Sequence, residues 1–189
     1  MALPQDLIDE FVGASHGDLD RVKELLAQHP DLRQASARWD ETPLGAAAHT
    51  GAEGVAQFLL AAGAPIEICA AAMLGMTDRV RAMLEADPRQ AHATGAHGIS
   101  VLYHAAIRGR IDVAELLLAR GADVNVGTGG NAALHGAAAF GQKAMVEWLL
   151  ARGGHANSPD YNHRTPLRLA LDNGHHEVAE ILRRHGGTG

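Results

Sequence analysis

Between Gly109 and Arg120 the chain sets apolar Ile111, Val113, Ala114, Leu116, Leu117 and Leu118 against polar Asp112, Glu115 and Arg120. Apolar positions recurring three and four apart make one side of a helix, so the spacing predicts an amphipathic helix ending at Gly121. The same pattern opens on a glycine six times: GDLDRVKELL from Gly17, GAEGVAQFLL from Gly51, GMTDRVRAML from Gly75, GRIDVAELLL from Gly109, GQKAMVEWLL from Gly141 and GHHEVAEILR from Gly174. These glycines lie 34, 24, 34, 32 and 33 residues apart, so nearly the whole chain is one unit used six times. A unit this small cannot bury its own apolar side; neighbours must stack into a continuous core.

A second, shorter helix precedes each glycine. In Thr42-Pro43-Leu44-Gly45-Ala46-Ala47-Ala48-His49-Thr50-Gly51, Thr42 is a suitable N-cap acceptor and Pro43 suits the first helical position. Thr165-Pro166-Leu167 repeats this start, while Ser100-Val101-Leu102 and Ala132-Ala133-Leu134 lack the proline. Three units end in glycine-containing turns, at Gly63, Gly121 and Gly153, and two end at His29-Pro30-Asp31 and Asp87-Pro88, where proline is expected to stop the helix.

Thr-Pro-Leu, paired alanines, a glycine, a leucine pair and then Gly121-Ala122-Asp123-Val124-Asn125, at a period near 33, resemble the ankyrin repeat over roughly residues 5–187. The resemblance implies an all-α fold: an ankyrin-repeat solenoid of about six helix-turn-helix units with short β-hairpin fingers between them. The expected units are about 5–36, 37–66, 67–94, 95–126, 127–159 and 160–187, within one domain spanning 1–189. Residues Asp6, Asp9 and Glu10 mark the first unit as a polar cap, and Arg183-Arg184-His185 mark the last. The step from Gly51 to Gly75 is short because Gly63-Ala64-Pro65-Ile66-Glu67-Ile68 runs almost directly into Cys69. The unit around Gly75 should therefore have both helices and no finger before them.

Composition narrows function more than fold. A formal charge of −6, with no run of Lys and Arg, argues against nucleic acid as a partner. No apolar run approaches a membrane span, the start MALPQDLIDEF lacks the form of a secretory leader, and a lone Cys69 cannot close an internal disulfide. A soluble, cytoplasmic, monomeric protein is expected.

Twelve histidines invite a search for chemistry: His16, His29, His49, His92, His97, His104, His135, His155, His163, His175, His176 and His185. None falls in a metal-ligand spacing on a single helix, and His175-His176 point about 100° apart if helical. No catalytic residue, metal or cofactor is expected. His104 stands where an apolar residue is usual and should be a hydrogen-bonded core histidine, while Tyr103 and Cys69 occupy the place that His135 holds in its own unit. The serines lack a nucleophile elbow, and Gly127-Thr128-Gly129-Gly130 reads as a fingertip because no Lys-Ser/Thr follows it. The alternative to an interaction module is a small-molecule or metal site, with or without catalysis, built from His97, His104 and His135.

The resemblance also implies where a partner protein would lie: along the fingers and the exposed side of the first helices. The finger places are Arg38, Trp39 and Glu41; His97 with Ala96 and Ile99; Thr128 and Asn131; and Tyr161, Asn162 and Arg164. The helix places are Ser15 and His16; His49 and Thr50; Met73 and Leu74; Ile107 and Arg108; Ala139 and Phe140; and Asp172 and Asn173. Trp39 and Tyr161 are the expected anchors, with Arg38, Glu41, Arg108 and Arg164 setting orientation. Met73 and Leu74 lie beside the missing finger, where a gap could open a pocket. Trp148, in a second helix, is expected to pack on the outer side.

Overall fold

The computed structural model describes residues 3–127 and 130–189. Thr128, and with it part of the fingertip reading, lies outside these residues.

The described residues form helical hairpins in a row. The first helices are α1 (Gln5–Ala14), α3 (Pro43–Thr50), α5 (Ile68–Met73), α7 (Val101–Ala106), α9 (Ala133–Ala139) and α11 (Pro166–Asp172). Each pairs with the helix that follows it: α2 (Leu19–Gln28), α4 (Glu53–Ala61), α6 (Thr77–Ala86), α8 (Ile111–Ala119), α10 (Lys143–Leu150) and α12 (His176–Arg184). The first helices stack one on the next from α1 to α11, making an inner row. Runs of buried alanine, such as Ala46, Ala47 and Ala48 in α3 and Ala70, Ala71 and Ala72 in α5, let these backbones approach closely. Leu59, Leu117 and Leu149 of the outer helices close the core from the other side, each burial contributing on the order of 2 kcal/mol.

Local chemistry sets the helix starts. Thr42 Oγ1 accepts from the Gly45 N–H at 2.9 Å, Ser100 Oγ from Tyr103 at 3.2 Å and Thr165 Oγ1 from Arg168 at 3.2 Å. Each replaces a hydrogen bond that the first helical turn cannot make within itself. Gly51 ends α3 with φ 70°, a left-handed conformation that glycine adopts without strain.

Pro30 and Pro88 do more than stop a helix. Each opens a short 3-10 turn, Pro30–Gln34 and Pro88–His92, because the proline φ suits a first helical position.

The fingers differ from the β-hairpins that the resemblance implies. Among the described residues there is no strand, and one isolated antiparallel bridge joins Thr94 to Ser100. The projections are tight turns. Ala37 N–H bonds Glu41 O at 2.9 Å, Gly95 N–H bonds Ile99 O at 2.8 Å and Asp160 N–H bonds Arg164 O at 2.8 Å. Arms this short close after one or two bonds, before a ladder can form. Between α4 and α5 only residues 62–67 intervene, and no such turn projects there. No helix among the described residues is long and apolar enough to cross a membrane.

Candidate functional site

The short 62–67 connection brings together turns that would otherwise be separated. Residues 37–41 lead into α3 and residues 94–100 lead into α7, with no projecting turn before the intervening α5. Side chains from the turn after α1, from α3 and from both projecting turns meet at Glu41.

Glu41 is 2% exposed. Its Oε2 accepts from Trp39 Nε1 at 2.7 Å. His16 Nε2 lies 3.5 Å from Oε2, His49 Nδ1 lies 3.0 Å from Oε1 and His97 Nε2 lies 3.9 Å from Oε1. Despite that 3.0 Å separation, His49 is not oriented to bond Oε1, and its Nδ1 is also 3.2 Å from the Gly45 carbonyl. Oε1 is therefore buried without a hydrogen bond. The imidazoles stand edge to face, with ring centroids 5.1 Å apart for His16 and His49 and 5.3 Å apart for His49 and His97. Burial pushes the His49 pKa below the usual imidazole value, against the opposing pull of the Glu41 carboxylate.

Two cavities adjoin this cluster. One of about 830 Å³ is lined by His49, His97, Tyr103, Asn131 and Tyr161, among others; one of about 480 Å³ is lined by Trp39, Glu41, Thr94 and His97, among others. His97 thus stands between Trp39 and Tyr161. Its own backbone is left-handed, φ 56°, a conformation uncommon outside glycine.

The trio His97, His104 and His135 does not assemble. His104 is buried in α7, its Nδ1 at 2.8 Å from the Ser100 carbonyl of its own helix, and its Nε2 has no partner. The expectation of a fully bonded core histidine is thus met at one nitrogen only, because the local helix partner leaves the other ring edge against Gly95. Burial brings its pKa down to about 4. His135 Nε2 pairs with the Ser158 carbonyl at 2.8 Å, a bond from α9 to the loop between α10 and α11. Of the three, His97 alone lines the larger cavity.

Several surface expectations need correction. Met73 and Ile107 are 0% exposed and Glu41 nearly so, which removes their side chains from any contact surface. Over Met73 there is a lid instead of a pocket: Arg110 Nε bonds the Met73 carbonyl at 3.1 Å, and Arg108 and Arg110 both pair with Glu53. The solenoid curves tightly here; a Cβ on Gly51 would stand 3.4 Å from both Ile107 and Phe140. That curvature buries Ile107 and leaves Leu74 half-buried. Ser15 is also buried, its hydroxyl bonded to the Phe11 carbonyl at 2.8 Å.

The orienting charges mostly serve the fold. Arg38 pairs with Asp6 and Asp9, tying the first turn to α1, and Arg164 pairs with buried Asp160 at 2.9 Å. Exposed large apolar side chains among the described residues include Trp39 at 43%, Phe140 at 37% and Tyr161 at 63%. Asn162, Asp172 and Asn173 are exposed; His49, Thr50, Arg108 and Asn131 are half-buried. Trp148 carries the Arg152 guanidinium at 3.8 Å from its ring centroid.

Sequence reasoning placed His16 and Glu41 on a contact surface and missed their convergence. The short Gly51–Gly75 step was a signal for His97 alone, since it removes the spacer between the two turns; His16, Glu41 and His49 all precede Gly51 and meet through the packing of α1 on α3.

Paired helices repeated in a row, with turns on one side, define a helical-repeat solenoid. A family model described as ankyrin repeats (3 copies) matches residues 11–128, 68–160 and 127–188. The chain belongs to the ankyrin repeat family, whose members are generally protein–protein interaction modules and typically non-enzymatic. No match is found among curated proteins.

Proposed function

We propose that this chain is a monomeric cytoplasmic interaction module that docks one partner protein against its turns and inner helices. It acts by occupying that partner, as an adaptor, an inhibitor or a neutraliser, and catalyses nothing itself. The observation that carries this reading is the exposure of Trp39 and Tyr161 on either side of His97. Large aromatic side chains standing in water on one face are the usual anchors of protein interfaces. The Trp39 indole is also held by Glu41, so less side-chain freedom is lost on docking.

Affinity capture from the source cell tests the reading, comparing the native chain with a Trp39→Ala/Tyr161→Ala double variant. A protein retained by the native chain and lost from the folded double variant supports it. Equal retention by both removes these aromatics as anchors.

A further inference from the structure

We propose that His16, Glu41 and His49, joined by His97, form a binding site for a divalent metal ion of the zinc class. Among the described residues, one ligand atom from each of His16, Glu41 and His49 lies within 4.8 Å of the others. The residues come from the turn after α1, the 37–41 turn, α3 and the 95–98 turn, so no spacing along a single helix announces them.

Two observations point to a cation. Glu41 Oε1 is buried with no hydrogen bond, a costly state for a carboxylate unless a positive charge satisfies it. In addition, His16 Nδ1 lies 3.0 Å from the Gly13 carbonyl and 3.1 Å from that of Val12. A proton on Nδ1 serves those carbonyls and leaves the Nε2 lone pair facing Glu41 Oε2 at 3.5 Å. Two lone pairs then face each other across a space that a cation would fill. A backbone carbonyl holding the far nitrogen of an imidazole is also the usual outer support of a metal-bound histidine.

Donor type selects the ion. Two or three imidazoles with one carboxylate suit zinc, copper, nickel or cobalt, whereas calcium and magnesium require mostly oxygen. A tetrahedral zinc site with bonds of about 2.0–2.1 Å places its ligand atoms about 3.3 Å apart, so the His16, Glu41 and His49 donors close in by up to about 1.5 Å on binding. The exposed edges of His16 and His97 provide entry, and His49 and His97 line the larger cavity, leaving space beside the ion for a further ligand.

The probes are Co²⁺, followed by its visible d–d absorption, and Zn²⁺, followed by its displacement of bound Co²⁺ from chelator-treated protein. The expected result is one ion per chain with a four-coordinate cobalt spectrum. Binding should weaken at least tenfold in His16→Gln and in His97→Asn, the asparagine tolerating the left-handed backbone. His175→Gln/His176→Gln should leave it unchanged. Metal-free circular dichroism establishes that each variant folds. Histidine side-chain NMR of the native chain gives an independent readout, with His16, His49 and His97 the resonances moved by Zn²⁺. The proposal is overturned if no cobalt spectrum develops, if folded His16 and His97 variants bind as tightly as the native chain, or if Zn²⁺ moves only other histidines.

Discussion

The Glu53 carboxylate at the start of α4 accepts from Arg110 Nη2 at 3.3 Å, across the intervening α5–α6 pair. Arg108 binds the same carboxylate and Arg110 also caps the Met73 carbonyl, so one acid closes over the end of α5. Half-buried ion pairs with this geometry contribute on the order of 1 kcal/mol. Glu53→Gln should lower the urea midpoint accordingly, and a cycle with Arg110→Ala should show coupling of about 0.5 kcal/mol or more. Strict additivity would mean that the clamp does not bind the units together.

His104 makes stability depend on pH. In the unfolded chain it titrates near 6.5, while burial lowers the folded value to about 4. Between those values the unfolded chain binds the extra proton, so stability falls as pH drops from about 6.5 to about 4. The contribution is on the order of 3 kcal/mol at the bottom of that window. His104→Leu, which also removes the unpartnered Nε2, should flatten the decline of the urea midpoint between pH 7 and 4.5. An unchanged slope would assign the dependence to other groups.

Gly136 marks a close approach of α9 to α7. A Cβ there would stand 2.7 Å from Tyr103 Cε2 and 2.8 Å from Ile107 Cγ2. Alanine favours a helix interior over glycine by about 1 kcal/mol, but overpacking against buried Ile107 costs about 1–3 kcal/mol. Gly136→Ala should therefore lower the melting temperature despite its better helix propensity. A rise would show that α7 and α9 separate without cost.

Cys69 is buried and its thiol pKa is pushed up to about 12 by that burial. The thiolate is the reactive form, so native protein should react with Ellman's reagent at pH 8 at least a hundredfold more slowly than urea-unfolded protein. Equal rates would place the thiol at the surface.

Trp39→Ala should leave the helical circular dichroism unchanged, because the residue lies in a turn outside the helices, its ring is partly in water and its indole N–H bonds the Glu41 side chain. Partner capture should weaken at least tenfold, corresponding to about 1.4 kcal/mol or more. Unaltered capture would remove Trp39 from the interface.

The helical hairpins were legible residue by residue. Thr42-Pro43 and Thr165-Pro166 start helices because a hydroxyl acceptor and a preset φ act within one turn of chain. The fingers were overstated, since their arms are too short for a ladder. Of the residues expected on a contact surface, Trp39 and Tyr161 are exposed, whereas Met73, Ile107 and Glu41 are buried.

Local rules operate over one turn or one repeat, so the amino-acid order alone determined a row of stacked helix pairs and a shortened step before Gly75. Which residues meet across that step depended on curvature, a property of several packed units together. Tertiary structure alone therefore buried Ile107 beneath the bend, drew Glu53 to Arg110, and gathered His16, His49 and His97 around one carboxylate. No single unit contains that arrangement, because its members are separated by up to 81 positions (His16 to His97) and meet only when the inner helices stack.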